Sequence, residues 1–213
     1  MQPFHFNSSG HLLRIGQQEA ASLGEFLLAL RVCSDASIFQ HTFRTLQEHH
    51  FIRERFSNDF AQWVLAACNE PGLAERLASV DVRQFTSLRA VRERIVAIVE
   101  SHLKEDQGAG NRHASETFYF CASEVVVMPT TFIARSLPEF FTSLANVSIH
   151  SIYHHFIEAR LRLQLTSNDF SRWLTEEAGQ TEIARSVNRI DIYMGTMEDV
   201  RRQIIRIVER ALN

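Results

Sequence analysis

Glycine is scarce in this chain, with 8 in 213 residues, and neither a Gly-rich phosphate loop nor a GxSxG elbow can be found, so the usual nucleotide cradles and hydrolase elbows are excluded. The three cysteines, Cys33, Cys68 and Cys121, are far apart, odd in number and free of any CxxC spacing, which excludes a disulfide framework and a structural zinc site and fits a reducing cytoplasm. Positive charge is not in excess either. With a net charge of −3 and a pI near 6.4 there is no basic stripe to track a phosphate backbone, and nucleic acid is set aside as a partner. No segment approaches the ~18 apolar residues of a membrane span. The opening MQPFHFNSSGHLLRIG has no basic region leading into a long apolar run, so a cytoplasmic, membrane-free protein is expected. Lysine is almost missing: of 22 basic residues only Lys104 is not arginine. Codon bias in a GC-rich genome is the simplest source of that.

What is present is enough to fold. An apolar content of 45 % with 22 % charged residues describes an ordinary globular protein with one sizeable core or two modest ones.

The chain also compares with itself. Phe4 and Phe6 match Phe118 and Phe120 at an offset of 114, and the same offset aligns Ser22, Leu23, Glu25 and Phe26 with Ser136, Leu137, Glu139 and Phe140, then Ser37, Ile38 and His41 with Ser151, Ile152 and His155. After four extra residues in the first copy the offset becomes 110, and Asn58, Asp59, Phe60 and Trp63 match Asn168, Asp169, Phe170 and Trp173. A first repeat over 1–103, a linker over 104–115 and a second repeat over 116–213 follow. Leu23, Phe26, Leu27 and Leu30, with their counterparts Leu137, Phe140, Phe141 and Leu144, recur at helical spacing, as do Leu88, Val91, Ile95, Val99 and Leu103 and, matching them, Met197, Val200, Ile204, Val208 and Leu212. FHF and FYF alternate as strands do. The expected fold is mainly α with a minor β element, built as two tandem, pseudo-twofold-related helical repeats packed together. Helix caps are expected at Thr86 and Thr196, at Ser37 and Ser151, and at Ser57 or Asn58 and Ser167 or Asn168.

The repeated polar residues admit two readings. In the first, His41, Asn58, Asp59 and Trp63, with His155, Asn168, Asp169 and Trp173, form buried polar networks that lock each repeat, because an unpaired buried imidazole or indole N–H costs about 2 kcal/mol or more. In the second, His41, His155, Asp59 and Asp169 are catalytic candidates, two His–Asp pairs converging at the seam between repeats for acid–base work or to hold a metal. Asn58, Trp63, Asn168, Trp173 and Tyr153 are then candidates for ligand binding. His154 and Glu158 are four apart and can meet on one helix face, but no HExxH-type arrangement appears, so no metal site and no cofactor is assigned. His49 and His50 fall in the extra residues of the first copy and read as exposed, and Glu25 and Glu139 read as solvated.

The doubled set of boxes, FxF, SLxEF, SI with a histidine three residues on, and NDFxxW, resembles a bacterial family known only as a domain of unknown function, of the 5752 type. The resemblance spans essentially the whole chain. It implies a bacterial cytoplasmic protein and brings no activity, substrate or cofactor. The sequence thus points to a non-catalytic helical binding or protein-interaction module, with a small ligand or protein partner at the seam and homo-oligomerisation open to it. The alternative is a metal-dependent or acid–base enzyme using the paired His and Asp residues.

Overall fold

The computed structural model describes residues 2–44, 58–163, 167–193 and 195–212. Leu46, His49, His50 and Ser57 lie outside the described residues. Two long strands, β1 (Phe4–Ser22) and β2 (His113–Ala134), pair with each other in a two-stranded antiparallel sheet. Alternation sets their inner face: Phe4, Phe6, Phe118 and Phe120 are buried, while His5 and Tyr119 between them are exposed. Register brings Gly16 against Phe120, where a Cβ would lie 2.0 Å from the Phe120 carbonyl oxygen, so only glycine fits there.

Helices fill the rest. They are α1 (Leu23–Val32), α2 (Asp35–Phe39), α3 (Asp59–Ala66), α4 (Pro71–Ala78), α5 (Leu88–Glu105), α6 (Leu137–Asn146), α7 (Ile149–Tyr153), α8 (Ala159–Leu163), α9 (Asp169–Glu176), α10 (Thr181–Asn188) and α11 (Met197–Leu212). α2 runs on into a π-helical turn, Gln40–Arg44, and α7 into another, His154–Glu158. α1 packs on α5 and α3 on α4, and likewise α6 on α11 and α9 on α10. The helical stripes are buried as their spacing requires, through Val91, Ile95 and Val99 in α5 and Val200, Ile204 and Val208 in α11. No helix among the described residues is long and apolar enough to cross a membrane.

The caps explain several repeated polar residues. Ser22 Oγ accepts from the Glu25 amide while Glu25 Oε2 accepts from the Ala21 amide at 2.7 Å, and Ser136 with Glu139 does the same at α6. Glu25 and Glu139 are exposed, as read from the sequence, and each also closes a capping box. Asn58, Asn168 and Thr196 cap as expected. Ser34 and Ser148, not Ser37 and Ser151, cap α2 and α7, and Ser87 rather than Thr86 caps α5.

The expected fold class needs correction. A mainly α chain is what the structure has, but the β element is not minor, with strands of 19 and 22 residues. Nor are the compact units consecutive copies packed in tandem. One unit is Leu12–Glu124; the other joins Met1–His11 to Val125–Asn213. Phe4 and Phe6 of the first FxF segment are thus buried by helices of Val125–Asn213, and Phe118 and Phe120 of the second by helices of Leu12–Glu124. Because both segments carry the same apolar alternation, spacing alone does not say which helices bury which strand.

Candidate functional site

In the unit Leu12–Glu124, α3 begins at the Asn58 cap, whose Oδ1 accepts from the Ala61 amide and whose Nδ2 donates to the Leu77 carbonyl. That fixes Asp59 in the first helical turn, where the helix dipole favours a carboxylate. Asp59 Oδ2 lies 2.9 Å from His41 Nδ1, and His41 Nε2 accepts from the Cys121 backbone amide at 2.9 Å. One turn along α3, Trp63 Nε1 donates to the Glu116 carbonyl at 2.8 Å. Between these two grips, Phe118 and Phe120 enter a cage of Phe26, Phe60, Trp63 and His41, with ring centroids 4.8–6.2 Å apart.

The other unit repeats the histidine and tryptophan grips, while Asn168 Nδ2 donates to Asn188 Oδ1 at 3.1 Å rather than to a backbone carbonyl. His155 Nδ1 lies 2.7 Å from Asp169 Oδ2 and Nε2 accepts from the Asn7 amide at 2.8 Å. Trp173 Nε1 donates to the Gln2 carbonyl at 2.9 Å, and Asn168 caps α9. Phe4 and Phe6 fill the cage of Phe140, His155, Phe170 and Trp173. Each fully buried Phe contributes roughly 1.5–3 kcal/mol, and edge-to-face contacts such as Phe4 with His155 add to it.

The hydrogen bonds decide what the histidines can do. An amide N–H aimed at Nε2 requires a lone pair there, so the ring proton sits on Nδ1 and faces the aspartate. Neither nitrogen then has a lone pair left for a metal ion or a substrate proton. Each His–Asp pair stands inside its own unit together with the Asn and Trp of the same box. Tyr153 is enclosed, with its ring 6.2 Å from that of His11.

Sequence reasoning missed one cluster. Glu158, in the π-helical turn, holds His154 Nδ1 at 2.8 Å and His11 Nε2 at 2.8 Å. Burial disfavours its charge, but hydrogen bonds and charge from His11 and His154 outweigh that and hold its carboxyl down at about 2. The i,i+4 spacing of His154 and Glu158 was visible in the sequence; the strand residue His11 was not. Nothing here reads as a metal centre: no group of three or more His, Cys, Asp or Glu among the described residues could hold an ion. Burial raises all three thiols, Cys68 to about 12 with a further push from Glu70, which leaves little thiolate for nucleophilic work.

Two strands held by paired His and Trp grips, with helices wound into a π turn at each histidine, define a helix-and-ribbon protein whose repeated boxes are spent on its own backbone. The chain belongs to the family of unknown function DUF5752, which matches residues 1–209. Among solved structures it is similar to the structure of OrfY from Thermoproteus tenax, at 29 % identity and a TM-score of 0.86, covering 99 % of this chain and 95 % of that one. A search of the curated proteins returns no match.

Proposed function

We propose that the chain is a non-catalytic binding or protein-interaction module. The observation that carries this is the commitment of both nitrogens of His41 and of His155, to an aspartate on one side and a strand amide on the other. Groups so tied serve to position a strand, and acid–base or metal chemistry would first have to break the fold's own bonds. The strands offer contact surface elsewhere. In the unit Leu12–Glu124, Leu12, Leu13 and Ile15 are 59, 61 and 81 % exposed, and in the other unit Val127 is 51 % exposed. Apolar side chains on a strand with an open edge suit an extended segment of a protein partner. The equivalence of the two grips favours an origin by internal duplication, and the free thiols fit a cytoplasmic setting.

Elemental analysis combined with thermal melts of His41→Gln and His155→Gln tests the reading. Earlier melting with no bound metal in either wild type or variant is expected. A stoichiometric ion that the variants lose would overturn this reading of the histidines and support the enzyme alternative instead.

A further inference from the structure

α9 and α10 enclose an open cavity of about 280 Å³ in the unit that contains them, near the lower end of the size of small-ligand sites. We propose that this cavity binds a small oxyanion, a phosphate or a phosphate-bearing molecule; this deepens the binding-module reading by naming a ligand class.

Its walls carry Arg172, Arg185, Ser167, Thr175, Glu176 and Asn188. Arg160, only 6 % exposed, donates to Asn188 Oδ1 at 3.4 Å and so fixes one of the wall residues. Ser171 Oγ, bonded to the Ala184 carbonyl at 3.0 Å, places a polar spacer between the two helices. Arg172 is paired with Glu176, and Arg185 with Glu182, but both pairs lie at the surface, the arginines about half exposed and Glu182 81 % exposed. Surface pairs of that kind are weak, and a dianion can displace the carboxylates because it matches the planar guanidinium donors with more charge.

Comparison with the equivalent helices α3 and α4 separates a built feature from a by-product of the fold. At the offset of 110, the positions of Arg172, Thr175, Arg185 and Asn188 are occupied by Gln62, Leu65, Glu75 and Ala78. The same helix pair thus exists without the two rim cations, the hydroxyl or the carboxamide. Packing α9 on α10 does not demand the two arginines or Thr175, whereas Asn188 serves the fold, its Oδ1 accepting from Asn168 Nδ2 at 3.1 Å.

The test is calorimetric titration of inorganic phosphate into the full chain at constant ionic strength, with chloride as the control anion. Saturable binding is expected, weakened about tenfold or more in Arg172→Gln and in Arg185→Gln and unchanged in Arg89→Gln, which removes a more exposed arginine, at 81 % against 48 and 52 %, from α5. Circular-dichroism melts check that the variants stay folded. Absence of saturable heat, or equal weakening in Arg89→Gln, overturns the proposal. Either result leaves the binding-module reading standing, since that rests on the histidines.

Discussion

His155 Nε2 accepts a 2.8 Å hydrogen bond from the backbone amide of Asn7, a residue 148 positions earlier in the chain. With His41 and Cys121 it forms one of two such ties. Each fastens a strand edge to a helix turn, and each is backed by an aspartate.

Replacing His155 by Ala leaves the Asn7 amide and the Asp169 carboxylate short of a partner in a mostly buried place. Urea unfolding is expected to show a loss of about 1–3 kcal/mol from the unsatisfied donor alone, with a comparable loss for His41→Ala. A change within the error of the wild-type midpoint would mean that the ties hold nothing.

Gly16 gives a sharper steric prediction. An alanine there puts its Cβ into the Phe120 carbonyl, and Gly16→Ala should cost about 1–3 kcal/mol through forced strand separation. Gly72, in α4, has nothing within 4 Å of an added Cβ, so Gly72→Ala should be neutral or gain up to about 1 kcal/mol in helix propensity. Thermal melts of the two variants read the contrast.

Glu158 sets an acid limb. Its folded value of about 2 lies below the ordinary 4.5, so its contribution is fully present above pH 4.5 and is lost as pH falls towards 2. The difference corresponds to about 3 kcal/mol. Melting temperature measured from pH 2 to pH 6 should fall more steeply in wild type than in Glu158→Gln, and parallel curves would remove Glu158 from the account.

Much of this was legible in the sequence. Helical stripes identified the buried faces of α1, α5, α6 and α11, and the NDFxxW box placed the α3 and α9 caps together with the indoles. Three features escaped for physical reasons. The destination of each FxF strand was hidden because the two segments carry the same alternation, so either cage fits either segment by composition. The aspartate partners of the histidines were legible, but their second partners were hidden because each is a backbone amide, which no side-chain spacing reports. The π-helical turns at Gln40–Arg44 and His154–Glu158 were hidden because a widened turn leaves no signature in apolar periodicity, although such turns cluster at constrained sites.

The burial of Phe4 and Phe6 by helices of Val125–Asn213, and of Phe118 and Phe120 by helices of Leu12–Glu124, is the centre of the account, and amide hydrogen exchange on Phe6→Ala and Phe120→Ala tests it most directly. Each substitution opens a cavity costing about 3–5 kcal/mol, and local loss of protection reports which helices feel it. Phe6→Ala should deprotect α6, α9 and α11 while α1, α3 and α5 hold, and Phe120→Ala should do the reverse. Loss of protection in α1, α3 and α5 on replacing Phe6 would contradict it, for the strand would then belong to the helices that follow it.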